Sequence, residues 1–280
     1  MILVIGATGN VGGQVVTELL DLGVSVRALT RDPARAALPG AAEVVRGDFS
    51  VPESLREALH GVEAVFLLWP LPTTEVAPKI MKLIAEHARR VVFLSSGAVR
   101  DDIAEQTDMI GRWHAEVEQA IKDSGVEWTM LRPHGFATNI RRWLPQLQAG
   151  DVVRGAYGEA AMTLLHERDI AAVAARALTR DGLSGRDLVL TGPEPLTQVE
   201  QVRTIGEVVG RPLRWEEIPV ETARQEMLAW QPAELVDLVL DGYAQMVSFP
   251  GPGTTTVEEV TGRPARTFRE WVADHAADFR

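Results

Sequence analysis

The chain has 280 residues, with 28 Lys and Arg against 39 Asp and Glu, and its net charge of −11 repels nucleic-acid backbones and anionic membranes unless a basic patch intervenes. Hydrophobic residues make up 46% and cysteine is absent, so a core forms without disulfides, and thiolate nucleophiles and cysteine-based metal centres are excluded. At roughly 150 residues per domain, the length fits one large domain with an appendage.

Short apolar runs, bounded by turn or polar residues, alternate with segments of helical period from the first residue onward. Met1 to Ile5, Val24 to Leu29, Ala42 to Val45, Ala64 to Leu68, Val91 to Leu94 and Trp128 to Leu131 fit parallel strands covered on both faces. Val11, Val15, Val16, Leu19 and Leu20 recur at helical spacing between the first two. Ser50-Val51-Pro52-Glu53 carries the signal of a capping box before the next helix. This repetition predicts an α/β fold with a doubly wound parallel sheet. Arg89-Arg90 and Arg141-Arg142 are too short for a phosphate track and read as solvated helix ends.

After Pro133 the rhythm becomes irregular. A helical stretch at about 137–147 precedes a loop, Asp169 is placed to cap a helix over 170–178, and a strand returns at 188–190. Helices at about 198–209, 221–230, 233–246 and 268–277 and a strand near 213–218 suggest a second lobe. The expected division is a dinucleotide-binding domain over 1–192, with 134–162 looping out toward the second lobe, and a smaller substrate or partner lobe over 193–280. The N-terminus lacks a basic, signal-like region, and no stretch approaches the roughly 18 apolar residues of a membrane span. A cytoplasmic protein without membrane or nucleic-acid partners, and without a metal site, is expected.

Gly6-Ala7-Thr8-Gly9-Asn10-Val11-Gly12 follows the first strand and opens the first helix. The glycine spacing is weak evidence alone, but a tight turn feeding a helix N-terminus brings backbone N–H groups and a favourable dipole to a pyrophosphate. The end of the second strand selects between dinucleotides, because an acid there binds a ribose 2′-OH and a cation binds a 2′-phosphate. Leu29-Thr30-Arg31-Asp32 offers Arg31, which favours NADP(H), while Asp32 keeps NAD(H) possible. Asp48 and Phe49, after the third strand, are candidates to bracket the adenine, although Asp48 also suits a plain turn.

GATGNVGG, VRGDF, VVFLSS, HAEVEQAIKDSGVEWTMLRP and TGRPARTFREWVADHA together resemble the atypical short-chain dehydrogenase/reductases of the NmrA-like group, over nearly the whole chain. The resemblance implies an extended Rossmann fold, NADP(H) in the glycine loop and a substrate cleft beside a C-terminal lobe. Carried onto this sequence, it assigns phosphate contacts to Gly6, Thr8, Gly9, Asn10 and Val11, and the 2′-phosphate to Arg31. It places Asp48 and Phe49 by the adenine, Leu68 and Trp69 near the ribose, and Ser95 and Ser96 near the nicotinamide.

The wider family uses a Tyr-x-x-x-Lys pair, in which the lysine lowers the tyrosine pKa and the phenol exchanges a proton with the substrate oxygen. Neither tyrosine here qualifies, because Ala161 lies four residues after Tyr157 and Val247 four after Tyr243. Alignment on HAEVEQAIKDSG puts Ile110 at the tyrosine position and His114 at the lysine position. His114 is one candidate acid, with Ser95 or Ser96 orienting a carbonyl, and His134 in Arg132-Pro133-His134-Gly135 is a second. His166 reads as packing. Trp69, Trp113 and Trp143 fall in segments able to line an apolar cleft. The expected activity is NADPH-dependent reduction of a hydrophobic carbonyl or enone. The alternative is a non-enzymatic NADP(H) redox sensor that binds a protein partner.

Overall fold

A computed structural model describes residues 1–280, which divide into two compact units. The first comprises Met1–Pro133, Glu167–Leu190 and Thr256–Arg263. The second comprises His134–His166, Thr191–Thr255 and Pro264–Arg280. The excursion expected over 134–162 thus forms part of the second unit. The chain passes to that unit again at Thr191, but 256–263 returns to the first.

The first unit holds a seven-stranded parallel sheet of β1 (Ile2–Ile5), β2 (Val26–Thr30), β3 (Glu43–Arg46), β4 (Ala64–Leu67), β5 (Arg90–Leu94), β6 (Glu127–Pro133) and β7 (Arg186–Leu190). Its order is β7-β6-β5-β4-β1-β2-β3, so the direction of winding reverses between β1 and β4, where doubly wound sheets bind their ligands. Strands β1 and β4 are buried throughout, as their unbroken apolar runs require with helices on both faces. Helix α1 (Asn10–Asp21) buries Val11, Val15, Val16 and Leu19, which form its apolar stripe.

Local details depart from the sequence expectation. Ser50 does not cap a helix, because its hydroxyl donates to Asp48 Oδ1 at 2.7 Å, and a short 3₁₀ turn, Pro52–Leu55, starts after an uncapped Val51. Asp169 is not a cap either: the helix Glu167–Thr179 begins earlier, and Glu167 and Asp169 lie buried in its first turn, where carboxylates complement the helix dipole. The stretch expected as one helix over 137–147 is a 3₁₀ segment, Ala137–Trp143, followed by a helix, Leu144–Ala149. Arg90 is not solvated. It is 4% exposed in β5, bonds the Ala177 and Arg180 carbonyls, and pairs with Glu127 at 2.8 Å and Asp181 at 2.6 Å.

In the second unit, Val152–Gly155 pairs in parallel with Arg214–Glu217, and Ala161–Met162 pairs antiparallel with Leu196–Thr197. Capping boxes do form here, with Thr197 and Glu200 opening the helix Gln198–Val209 and Thr267 and Glu270 opening Phe268–Asp274. The core is aromatic: Trp271 stacks on Phe268 and meets Phe279 edge-on, while Val202 and Ile205 pack into the same cluster. His166, 1% exposed, is more than packing, because its Nε2 lies 3.3 Å from Asp274 Oδ2. No helix is long and apolar enough to cross a membrane.

Candidate active site

The glycine loop leaves β1 at Gly6, whose φ of +77° is a left-handed conformation that favours glycine, and the Leu68 side chain packs close beside it. A Cβ on Gly12 would lie 2.1 Å from the Gly6 carbonyl oxygen, so helix and loop touch backbone to backbone. Gly9 caps α1 with no side-chain hydrogen bond, and Thr8, Gly9 and Asn10 are exposed. The turn therefore presents backbone rather than side chains at the positive end of α1, and this fits a dinucleotide pyrophosphate.

Beyond the loop, a groove of about 480 Å³ is lined by residues that include Gly6, Thr8, Arg31, Arg35, Asp48 and Phe49. Arg31 and Arg35 are both exposed along it, and their guanidiniums have the geometry to pair with a phosphate. Arg35 is absent from the sequence expectation, since a cation in the turn after Arg31 carries no distinctive signal. Asp32 is turned to local use, accepting from the Ala34 N–H. Asp48 also closes a turn: its Oδ1 accepts from the Ser50 hydroxyl and N–H, and these bonds hold its carboxyl below the usual aspartate range. Phe49 is buried and meets Trp69 edge-on at 5.6 Å, while the Trp69 indole N–H donates to the Thr73 carbonyl.

At the end of β5, Ser95 is buried and its hydroxyl donates to Glu118 Oε1 at 2.6 Å. Glu118, itself 2% exposed, takes a two-pronged bond from Arg132, with Nη2 at 2.6 Å and Nε at 2.9 Å. The other edge of that guanidinium reaches Asp101, so Arg132 is held charged. Sequence reasoning missed this network, because neither Glu118 nor Asp101 stands near Arg132 in the chain. Ser96 is less committed: its hydroxyl oxygen accepts from the Ala98 N–H and keeps its own proton to give.

The helix Met109–Asp123 carries Ile110 and His114 where the family pair would stand. His114 Nδ1 donates to the Ile110 carbonyl at 2.8 Å, and its ring lies 6.0 Å from that of Phe93. In the neutral imidazole this bond leaves Nε2 an acceptor, so His114 can donate a proton from Nε2 only as the imidazolium. His134 opens the second unit with an exposed surface, although burial of part of the ring pushes its pKa below the ordinary histidine value. Of the three tryptophans considered, Trp69 packs on Phe49 and Trp113 is half-buried on the helix Met109–Asp123, both in the first unit, whereas Trp143 is buried in the second and meets Trp215 edge-on.

Residues 6–181 match the model of an NAD(P)H-binding family. A (4-alkanoyl-5-oxo-2,5-dihydrofuran-3-yl)methyl phosphate reductase of Streptomyces griseus is 42% identical, across 100% of this chain and 99% of that protein. An NAD(P)H azoreductase of Xenophilus azovorans is 34% identical, across 100% and 99%. Among solved structures, an NADPH-dependent quinone oxidoreductase of Escherichia coli complexed with NADPH superposes with a TM-score of 0.81 at 22% identity, covering 99% of this chain and 100% of the other, a likeness of fold. With its glycine turn, open groove and 3-2-1-4-5-6-7 sheet, the chain belongs to the NAD(P)H-binding family, and the relatives it resembles along its full length are reductases.

Proposed function

We propose that this protein uses NADPH to reduce a conjugated, electron-poor small molecule, of the enone class that includes acyl butenolides. The observation that carries the reading is the lack of a ready proton donor at the family's acid position. Ser95 is bonded to Glu118, His114 is fixed with Nε2 as an acceptor, and Ile110 replaces the phenol. A general acid typically supplies about 10² to 10⁴ in rate, so a simple ketone, whose alkoxide needs a proton at once, would be reduced poorly. An acceptor that spreads the new negative charge over a conjugated carbonyl takes its proton from solvent or from imidazolium at leisure. The Streptomyces relative supports this, because the compound in its name is a doubly activated unsaturated lactone.

In the proposed arrangement the loop Gly6, Thr8, Gly9, Asn10 and Val11 holds the pyrophosphate, and Arg31 with Arg35 holds the 2′-phosphate. Leu68 and Trp69 flank the ribose. When bound, the reduced nicotinamide supplies a hydride. Ser96 donates a hydrogen bond to the acceptor carbonyl and orients it, while His114 can give a proton from Nε2 only as the imidazolium. His134 belongs to the second unit, and burial pushes its pKa below the ordinary histidine value, which weakens the case for it as a proton donor.

Following NADPH consumption with an acyl butenolide, a para-quinone and acetophenone tests the reading. The first two should turn over, with acetophenone at least about 100-fold slower, matching the loss of a general acid. Acetophenone reduced at a comparable rate would overturn the conjugated-acceptor reading. NADPH binding with no turnover of any acceptor would instead support a redox-responsive regulator with a protein partner.

A further inference from the structure

A cavity of about 600 Å³ in the second unit is built from segments that play no part in the nucleotide groove. Its walls are apolar and aromatic: Trp143, Trp215, Trp230 and Tyr243 line it together with Met227 and Ile218. Trp230 is 56% exposed and leaves the cavity open to entry.

Its charge runs against that of the protein. Arg141, Arg142 and Arg154 line it with a single carboxylate, Glu226, although the chain as a whole carries −11. Arg141 is paired with Asp278, and Arg154 with Glu216 and Glu226. Arg142 differs. Its guanidinium bonds only neutral acceptors, the Asn139 carbonyl and Gln198 Oε1, and lies over the rings of Trp143 at 4.7 Å and Tyr243 at 5.5 Å. Gln198 is in turn locked by its amide, which donates to the Ala156 and Tyr157 carbonyls. A half-buried cation on an aromatic wall, without a carboxylate partner, has its desolvation only partly offset by ring and amide contacts.

We propose that this cavity is a binding site for a flat aromatic monoanion, such as an aryl carboxylate, with its rings among Trp143, Trp215 and Trp230 and its anionic group on Arg142. The planar guanidinium matches a carboxylate with two parallel N–H bonds. No residue assigned to the cofactor contributes to this cavity.

Calorimetric titration of the full chain with 2-naphthoate and with 2-naphthamide, its uncharged isostere, tests the site. Naphthoate should bind one site at least tenfold more tightly than the amide. Arg142→Gln should bring the two within about twofold. Met227→Trp, which fills the cavity from its wall, should weaken both. NADPH titration of each variant should match the wild type, which also shows that the variants fold. Equal affinity for acid and amide, a preference that survives Arg142→Gln, or no binding of either probe would overturn the proposal. Loss of acceptor reduction with naphthoate binding intact would count against the reductase reading alone.

Discussion

The nucleotide groove of the first unit and the cavity of the second are built from opposite materials. The groove is made of backbone: a glycine turn, a helix end without a side-chain cap and two exposed arginines. The cavity is made of side chains contributed by segments from Arg141 to Tyr243, where tryptophans and one unpaired guanidinium supply the walls. A site of backbone tolerates change in most side chains but almost none in its glycines. A site of side chains reverses that sensitivity, because each wall residue sets shape and charge directly.

The largest effect separating the two is expected from Gly12→Ala. The new Cβ would fall 2.1 Å from the Gly6 carbonyl oxygen, and because both partners are backbone, the turn itself must move. NADPH affinity measured by calorimetry should fall at least about 100-fold, on the order of 3 kcal/mol, while naphthoate binding to the second unit stays at the wild-type level. Retained NADPH affinity would show that the groove does not depend on backbone contact.

An effect of comparable size, on stability rather than binding, is expected from Glu118→Gln. This leaves the buried Arg132 without its buried counter-charge and should lower the unfolding free energy in urea by about 3 kcal/mol. A loss under about 1 kcal/mol would mean that Asp101 and Asp187 suffice for Arg132.

The smallest effect is expected from Arg31→Ala. Removing one of two cations should weaken NADPH about tenfold, or about 1.4 kcal/mol, with NADH affinity changed less than twofold. Equal losses for both cofactors would remove the 2′-phosphate assignment. A further loss of similar size on adding Arg35→Ala would sharpen it, dividing the phosphate between the two.

Much of the first unit was legible in the chain because its signals are local. Unbroken apolar runs marked β1 and β4, the stripe from Val11 to Leu19 marked α1, and the glycine turn stood between strand and helix. Less legible were positions where a polar residue had competing local partners. Ser50 turned to Asp48 instead of capping a helix, and Asp48, offered as an adenine contact, is engaged by Ser50. Arg90 and Arg142 looked like solvated charges, since nothing beside them in the chain reveals Glu127, Asp181 or the ring of Tyr243.

By itself, the sequence determined the doubly wound α/β class, the nucleotide turn and the absence of the phenolic acid. Each follows from residues within a few positions of one another, where periodicity, backbone freedom and residue identity decide the outcome. Tertiary structure alone decided that Ser95 is held by Glu118, that His114 presents an acceptor nitrogen, and that an arginine lies unpaired on an aromatic wall. Those outcomes depend on which distant side chains meet in a medium too dry to leave charges and hydrogen bonds unanswered, and folding alone brings such partners together.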